Sequence, residues 1–356
     1  MRIAFIIGSL TGGGAERVVS ELANSFVENN NSVSVILISE YKISYIIDSK
    51  VDVVDATCPY SKRGFGRINR ILFIHNYLKQ SNFDVVLSFT TKVNNIALLA
   101  HVGLTNKLIL CERNDPRFDP QEKGERLLRK VLYGMADGYV FQTQGEKEYF
   151  SSNIQKKSMV IQNPINPLLP NVFEGKRAKK IVTATRLTKQ KNLKMAIEGF
   201  SQFSKLFPEF SFEIYGKGEL ENELTSYIAE LNLSDKIFLK GQSYDLYNDI
   251  LDASYFVLTS NYEGISNSML EAIALGIPTI CTDYPSGGAR ETITNNENGI
   301  LIPVNDCHAL TKALIKLERD TELREKISKN GIKIRQIYSL DKIKTKWIEF
   351  IEFVTK

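Results

Sequence analysis

Residues 2–26 read RIAFIIGSLTGGGAERVVSELANSF, and they place a glycine-rich turn between an apolar run and an amphipathic helical pattern. The apolar run is nearly continuous, as expected for a strand covered on both faces. Gly12, Gly13 and Gly14 precede a helix that the pattern predicts over 15–26. Glycine lets a ligand approach the backbone closely, and the N–H groups of a helix start attract anions. The stretch therefore predicts a strand–turn–helix unit with a ligand at the turn.

The spacing of these glycines leaves the identity of the ligand open. A dinucleotide-binding turn has the pattern G-x-G-x-x-G, but Arg17 stands where the third glycine is expected. Such a fold also has an acidic residue at the end of the second strand, and Glu40 lies slightly late for that position. An NAD-dependent oxidoreductase is therefore one interpretation. A flexible connection without a ligand is another.

Short β-branched runs alternate with longer helical patterns along the whole chain. The runs lie at 2–8, 32–39, 51–55, 84–90, 107–112, 138–143 and 158–163, and again at 180–186, 210–216, 236–241, 255–260, 277–282 and 299–304. This alternation is typical of a parallel, doubly wound sheet. Because the pattern occurs twice, we predict an α/β protein with two Rossmann-like doubly wound domains.

A proline-rich stretch separates the two halves. Residues 163–180 contain several prolines followed by basic residues and have no periodic pattern, as in a linker. We therefore predict an N-terminal domain of residues 1–164 and a C-terminal domain of residues 165–339. Residues 340–356 have an amphipathic helical pattern. Its apolar stripe consists of Ile343, Trp347, Ile348 and Ile351.

The composition excludes several classes of protein. The chain has 356 residues, 43% apolar and 24% charged, which is an ordinary globular balance. A net charge of +4 is too small to indicate nucleic-acid binding, but it suits anionic ligands. No run reaches the ~18 apolar residues of a membrane span, and the first is too short for a signal peptide. The cysteines, none of them in a C-x-x-C pair, are Cys58, Cys111, Cys281 and Cys307. We expect reduced thiols in a cytoplasmic protein, soluble or peripheral at a membrane.

Two cations follow the first strand of the second half. Arg186 lies at the end of that strand, and Lys191 stands just before the next helix. Open α/β sheets bind ligands at such strand ends. A guanidinium suits bidentate phosphate binding and an ammonium acts as a point charge, so the pair suits a diphosphate. A solvated basic turn is the alternative, because Lys189 and Lys194 lie in the same region.

Residues 260–293, SNYEGISNSMLEAIALGIPTICTDYPSGGARETI, hold two glutamates, Glu263 and Glu271, eight positions apart. On one helix they would be rotated by about 80°, so we place Glu263 in a loop and Glu271 in the first turns of a helix at 268–275. A carboxylate there can accept hydrogen bonds from vicinal sugar hydroxyls. Alternatively, Ser268 and Glu271 form a capping box, and Glu263 is an exposed loop acid.

This combination resembles the retaining, nucleotide-sugar-dependent glycosyltransferases of the GT-B fold, in particular the family 4-like enzymes. The resemblance covers the whole chain. It rests on the glycine turn, Asn163-Pro164, Arg186 with Lys191, the segment 216–219 (GKGE), and the pair Glu263-x7-Glu271 with PSGG behind it. The segments GGAERV, ERNDPR and YEGISNSMLEA resemble the subgroup that extends lipid-linked repeat units of bacterial surface polysaccharides. The fold this implies has two domains facing a cleft, with the C-terminal helix packing back onto the N-terminal domain.

The resemblance also implies roles for individual residues. Arg186 and Lys191 would bind the donor diphosphate and stabilise it as it leaves. Glu271 would accept from the ribose hydroxyls, and Glu263 would hold hydroxyls of the donor sugar. Further donor contacts are implied for Gly12, Gly13, Gly14, Gly216, Gly241, Tyr244, Gly264, Ile265 and Ser266. The first three of these would approach the donor from the other domain, across the cleft.

The chain departs from the family pattern at one place. Many relatives carry a histidine at the end of an N-terminal-domain strand, whereas residues 108–116 here read LILCERNDP. Glu112, Arg113 and Asn114 take that position, and we assign Arg113 and Asn114 to the sugar and acceptor side of the catalytic site. No D-x-D motif occurs, so we expect no catalytic metal and no cofactor besides the nucleotide sugar.

The sequence thus favours a retaining glycosyltransferase that moves a hexose or N-acetylhexosamine from a UDP-sugar to a lipid-linked or oligosaccharide acceptor. An oxidoreductase and a non-catalytic sugar-nucleotide-binding partner of a transferase are the alternatives. Residues 62–79 carry arginines along one helical face and apolar residues along another. That segment is either an interfacial helix at anionic lipid or a helix with a solvated basic face.

Overall fold

The computed structural model describes residues 1–57 and 66–356, so Cys58 and the start of the candidate interfacial segment, 62–65, lie outside the described residues. The chain divides into two units. One comprises Met1–Pro164 with Leu340–Lys356, and the other comprises Ile165–Ser339. Each unit is built around its own parallel sheet.

The sheet of the first unit has seven strands in the order β3-β2-β1-β4-β5-β6-β7. Its strands are β1 (Arg2–Ile7), β2 (Ser32–Leu37), β3 (Asp52–Asp55), β4 (Val85–Phe89), β5 (Lys107–Cys111), β6 (Gly138–Phe141) and β7 (Ser158–Val160). Its helices are α1 (Gly14–Glu28), α2 (Gly66–Ser81), α3 (Thr91–Ala100), α4 (Lys123–Leu132), α5 (Gln144–Glu148), α6 (Ser152–Lys156) and α14 (Leu340–Thr355). A short 3₁₀ helix, Tyr133–Met135, follows α4.

The sheet of the second unit has six strands in the order β10-β9-β8-β11-β12-β13. Its strands are β8 (Ala178–Ala184), β9 (Ser211–Tyr215), β10 (Ile237–Gly241), β11 (Ala253–Leu258), β12 (Thr279–Thr282) and β13 (Ile300–Ile302). Its helices are α7 (Leu193–Ser204), α8 (Glu221–Glu230), α9 (Leu246–Ile250), α10 (Asn267–Ala274), α11 (Cys307–Arg319), α12 (Thr321–Gly331) and α13 (Ile334–Ile337). A 3₁₀ helix, Lys189–Lys191, precedes α7.

The predicted fold class is confirmed, because each apolar run identified in the sequence forms a strand of one of the two sheets. The reason is local. In the central strands β4 and β11 every residue is buried, since helices cover both faces of a parallel sheet. Such strands are mostly apolar on both faces, so they can be recognised from the sequence without knowledge of the neighbouring strands.

The C-terminal helix α14 packs on the first unit through a stripe that differs from the predicted one at one position. Ile343, Trp347 and Ile351 are fully buried, but Ile348 is only partly buried and Phe350 takes its place. The indole of Trp347 stacks on Phe89, at the end of β4, with ring centroids 5.9 Å apart. The helix is therefore part of the core of the first unit.

We expect Trp347→Ala to lower the free energy of unfolding by about 3–5 kcal/mol, because it removes the largest buried side chain of α14 and leaves a cavity. Phe353→Ala is the matched control, since that ring lies on the same helix and is 67% exposed. Urea unfolding followed by circular dichroism measures both. Equal losses in the two variants would contradict this account of α14.

Candidate functional site

The second unit has a topological switch point between β8 and β11. From β8 the chain proceeds to β9 and β10 on one side, and it returns through β11 to β12 and β13 on the other. Ligands of open α/β sheets bind at the carboxyl ends of the strands at such a point. The two loops that leave β8 and β11 there carry Arg186, Lys191 and Glu263. These residues, which lie far apart in the sequence, are therefore brought to one edge of the sheet.

A buried ion pair connects these two loops. Lys191 donates through Nζ to Oε1 of Glu263, and the two residues are 9% and 8% exposed. The same carboxylate oxygen accepts from the hydroxyl of Ser260 at 2.7 Å, and Oε2 accepts from Nε2 of Gln190 at 3.1 Å. Both carboxylate oxygens of Glu263 are thus engaged by the protein. Glu263 is therefore not an exposed loop acid, which was the alternative interpretation of its place in the sequence.

Further hydrogen bonds hold the two loops in register. The hydroxyl of Thr259 donates to the carbonyl oxygens of Lys191 and Asn192, at 3.0 and 3.1 Å. The backbone N–H of Asn261 donates to the carbonyl of Gln190 at 2.8 Å. The position of the ammonium group is therefore fixed by backbone as well as side-chain contacts.

Arg186 differs from Lys191 in its exposure. It lies beyond the end of β8 with an exposed side chain, and its Nη2 is 3.5 Å from Oε1 of Gln190. One cation of the predicted diphosphate site is thus buried and paired, while the other faces solvent. A solvated basic turn describes Arg186 and Lys189, which are both exposed, but not Lys191.

The helix after Glu263 begins earlier than predicted, and the proposed capping box is wrong. Helix α10 starts at Asn267, and its N-cap is Ser266, whose hydroxyl accepts from the N–H of Met269 at 3.4 Å. Ser268 therefore lies inside the helix. Glu271 falls in the second turn and is 6% exposed. Its carboxylate is thus a buried group near the helix start.

The loop containing Glu263 is supported by the PSGG segment behind it. A Cβ atom on Gly288 would lie 2.0 Å from the carbonyl oxygen of Gly264, so only glycine permits this approach. Ser286 donates to the same carbonyl at 3.4 Å. Ile265 is buried next to it. The segment from Gly264 to Ser266 is consequently held between the PSGG turn and α10.

Three further predicted residues lie at the ends of β9 and β10. Gly216 has a φ of +129°, and a Cβ there would lie 1.9 Å from the carbonyl oxygen of Thr185. Its N–H donates to the carbonyl of Gly241 at 2.7 Å. Gly241 has a φ of +67°, in the left-handed region, so both glycines have a backbone reason to be present. Tyr244 is fully exposed in the loop after β10.

In the first unit, the glycine turn already holds an anion, which is the side chain of Glu16. The backbone N–H groups of Gly12 and Gly13 donate to Oε2 of Glu16 at 2.7 and 2.8 Å. The hydroxyl of Ser9 donates to Oε1 at 2.6 Å. The sequence predicts a ligand at this turn, whereas in the structure the carboxylate that meets the N–H groups belongs to the chain itself. Gly14 is the first residue of α1.

Arg17, the residue at the position of the missing third glycine, has its own role. It is 6% exposed and donates through Nη2 to the carbonyl of Pro164 at 3.0 Å. Its Nη1 lies 3.4 Å from Glu21. It connects α1 to Pro164, where the chain leaves the first unit for the second, which a glycine could not do.

At the place of the family histidine, Arg113 packs among aromatic rings. Its guanidinium lies 4.7 Å from the centroid of Phe89 and 5.4 Å from that of Trp347. Its Nη1 donates to Oδ1 of Asn163 at 3.2 Å. Burial lowers the pKa of this guanidinium. Asn114 accepts from the backbone N–H of Asp115 at 3.0 Å. The contacts of Arg113 thus join the end of β5 to α14.

Two carboxyl groups are buried near these strand ends. Glu112 contacts the hydroxyls of Tyr133 and Thr91, the latter at 2.7 Å, and burial raises its pKa. Glu146 is fully buried, and its Oε2 accepts from the N–H of Gln142 at 2.8 Å. Burial raises the pKa of Glu146 well above its ordinary value. Sequence patterns alone did not single out Glu146.

Two absences concern only the part of the chain that the structure describes. Within residues 1–57 and 66–356, no three histidine, cysteine, aspartate or glutamate side chains cluster as a metal-binding group. Among the same residues, no helix is both long enough and apolar enough to cross a bilayer.

The two parallel α/β sheets, one in each unit, are those of the GT-B fold. Residues 170–334, which make up nearly all of the second unit, match the family model described as glycosyl transferases group 1. The protein is therefore a glycosyltransferase. The family match does not support an oxidoreductase or a non-catalytic partner.

Similar proteins cover nearly the whole chain. One is the N-acetylgalactosamine-N,N'-diacetylbacillosaminyl-diphospho-undecaprenol 4-alpha-N-acetylgalactosaminyltransferase of Campylobacter jejuni, 29% identical over 96% of both chains. Another is the amylovoran biosynthesis glycosyltransferase of Erwinia amylovora, 23% identical over 98% of this chain and 99% of that one. The structure of sucrose-phosphate synthase from Thermosynechococcus elongatus superposes with a TM-score of 0.86 over 99% and 98% of the two chains. Its 16% identity supports the fold alone.

We expect Lys191→Met to lower the free energy of unfolding by about 3 kcal/mol, because it leaves the Glu263 carboxylate buried without its counter-ion. Lys194→Met is the matched control, since that lysine pairs with Glu223 at the surface and should contribute less than about 1 kcal/mol. Thermal and urea unfolding measure both variants. The double variant Lys191→Met with Glu263→Gln should lose less than the sum of the single losses, and strict additivity would contradict the coupling.

We also expect Glu146→Gln to stabilise the protein, and increasingly so from pH 5 to pH 8. Because the pKa of Glu146 is raised in the folded state, the folded protein binds its proton more tightly than the unfolded chain does, and stability falls as pH rises. The glutamine of the variant has no carboxyl group to ionise, so this loss of stability with rising pH is absent. Glu148→Gln, at an exposed position of the same helix, is the control. A pH-independent difference in unfolding temperature would contradict the prediction.

Proposed function

We propose that the protein transfers a hexose or N-acetylhexosamine from a UDP-sugar to a lipid-linked or oligosaccharide acceptor in bacterial surface polysaccharide synthesis. Two relatives support this proposal. The Campylobacter jejuni enzyme bears a name that specifies a diphospho-undecaprenol acceptor, and the Erwinia amylovora enzyme is named for amylovoran biosynthesis. Both align with almost the full chain. We further propose a cytoplasmic location with peripheral contact at the inner face of the membrane.

We propose that the nucleotide sugar binds to the second unit and the acceptor to the first. The observation that carries this assignment is the charged switch point, where the buried Lys191–Glu263 pair lies beside the exposed Arg186. Cleavage of a glycosyl–phosphate bond builds negative charge on the departing diphosphate. Cations that are already in place stabilise that charge without reorganising during the reaction.

In this mechanism Arg186 binds the diphosphate as a fork, because its guanidinium is free of a carboxylate partner within the described residues and faces solvent. Lys191 supplies a second positive charge from a fixed position. Glu263, held by Lys191, Ser260 and Gln190, orients hydroxyls of the donor sugar, and Glu271 accepts from the ribose. The acceptor oxygen bonds to the anomeric carbon on the face from which the diphosphate departs, and the departing phosphate takes the acceptor proton. Configuration is thereby retained without a metal ion.

Donor contacts from Gly264, Ile265 and Ser266 are part of the same proposal. The N-cap position of Ser266 and the PSGG turn against Gly264 support this segment from two sides. We extend the donor contacts to Gly12, Gly13, Gly14, Gly216, Gly241 and Tyr244, and we assign Arg113 and Asn114 to the sugar and acceptor side.

The decisive experiment incubates the purified protein with a panel of UDP-sugars and a short polyprenyl-diphosphate-linked oligosaccharide. We expect transfer of one sugar, detected by mass spectrometry, with the anomeric configuration of the donor preserved in the NMR spectrum of the product. Addition of EDTA should leave the rate unchanged. Inversion of configuration or loss of activity with EDTA would refute the corresponding part of the mechanism.

We expect Arg186→Gln to reduce kcat by about 100-fold or more, since it removes one electrostatic stabiliser of the leaving group. The control is Lys189→Gln, which removes another exposed cation from the same turn and should change kcat by less than about 3-fold. Steady-state kinetics on the best donor distinguishes them. Similar kcat values for the two variants would show that Arg186 contributes only to the overall positive electrostatic potential of the turn.

A further inference from the structure

Helices α2 and α4 form the outer surface over a helix that is almost completely buried. In α3, which packs against both of them, Lys92 is exposed, whereas Asn94 and Asn95 have no exposed surface. The solvent-facing sides of α2 and α4 are therefore the surface of this part of the first unit.

Helix α4 presents an apolar stripe to solvent. Leu127, Val131 and Met135, the last in the 3₁₀ turn after the helix, are 62%, 66% and 53% exposed. They are spaced by four residues and so lie on one side of the helix. The opposite side contains Arg129 and Tyr133, which are buried. Helix α4 also turns Leu128 and Leu132 towards the protein, so its exposed apolar stripe is additional to the side that packs on the core.

Helix α2 adds a second group of exposed apolar side chains. Ile68, Leu72 and Phe73 are 52%, 55% and 39% exposed. The starts of the two helices are joined by Arg67, whose Nη1 donates to Oε1 of Glu125 at 2.9 Å. The apolar groups of α2 and α4 consequently belong to neighbouring helices on one side of the first unit.

The charges around these side chains are mainly positive. Lys123 and Lys130 of α4 are exposed, and neither forms an ion pair within the described part of the chain. The acidic residues nearby are already paired, Glu122 with Lys92 at 2.7 Å and Glu125 with Arg67. Free ammonium groups next to exposed aliphatic side chains match the chemistry of an anionic lipid surface.

We propose that the exposed side chains of α2 and α4 form a surface that docks onto an anionic lipid bilayer, with α4 as its main contact. We call it the α2/α4 surface; it consists of Arg67, Ile68, Leu72, Phe73, Lys123, Leu127, Lys130, Val131 and Met135. The apolar side chains enter the boundary between headgroups and acyl chains, and the lysines contact anionic headgroups. The biological reason rests on the proposed function, because a lipid-linked acceptor is presented at such a surface.

Flotation of the full-length protein with vesicles tests this surface. Wild-type protein should bind vesicles of phosphatidylcholine with 30% phosphatidylglycerol and should bind pure phosphatidylcholine much less. Leu127→Glu with Val131→Glu should weaken binding about 10-fold or more. The matched control is Leu168→Glu with Leu206→Glu, which changes two exposed leucines of the second unit, 73% and 56% exposed. Circular dichroism confirms that each variant is folded.

Lysine substitutions separate the electrostatic contribution to vesicle binding from the contribution of the apolar side chains. Lys123→Gln with Lys130→Gln should weaken binding to anionic vesicles several-fold and reduce its salt dependence. Lys312→Gln with Lys329→Gln, two exposed lysines of the second unit, should not. Equal binding by the surface and control variants would overturn the proposal. The proposal would also be overturned if the Leu127/Val131 variant changed from dimer to monomer while its vesicle binding stayed unchanged. A second copy of the chain would then be what covers the α2/α4 surface.

Failure of the α2/α4 surface as a lipid-binding site can be distinguished from failure of the proposed function. With a short water-soluble acceptor, the Leu127/Val131 variant should retain wild-type kcat, and with acceptor embedded in anionic vesicles its rate should fall. If the wild-type protein transfers sugar to neither acceptor, the proposed function fails, while the vesicle-binding result still decides the α2/α4 surface.

Discussion

The ion pair between Lys191 and Glu263 is the interaction on which the candidate site depends. Removing an ammonium and a carboxylate from water costs several kcal/mol for each ion, and mutual attraction offsets this only when the remaining hydrogen bonds are made. Ser260 and Gln190 make them here. The result is an ammonium group held in a fixed position, next to its counter-ion, at the switch point of the second sheet. In the proposed mechanism, a cation that is already in place stabilises the leaving group.

The glycine turn of the first unit follows the same electrostatic rule with a different outcome. Bare backbone N–H groups at a helix start favour an anion, and Glu16 provides it from within the helix. The carboxylate organises the turn internally, so the turn is ordered without a bound nucleotide. In the second unit, by contrast, glycines such as Gly216 and Gly288 are required by close backbone approach. The chain thus uses glycine for two separate physical reasons.

Much of the fold could be predicted because its signals are local. Buried parallel strands are continuous in β-branched residues, and each was recognised within a window of a few residues. Errors arose where two local solutions compete. Both Ser266 and Ser268 are plausible caps, and the choice of Ser266 follows from the position of the loop against the PSGG turn. The exposed stripe of α4 was missed because its periodicity, taken alone, resembles that of a core-facing helix.

The sequence by itself determined the two α/β sheets and the family resemblance, and it predicted a division near residue 165 and the residue types of the candidate site. Periodicity and short motifs are properties of residues that are neighbours in the sequence, so they can be recognised without a structure. Only the tertiary structure decided which partner each charged group has. Glu263 meets Lys191 across 72 positions, and Arg113 meets Trp347 from the far end of the chain. Burial and pairing depend on such distant contacts, and no local pattern encodes them.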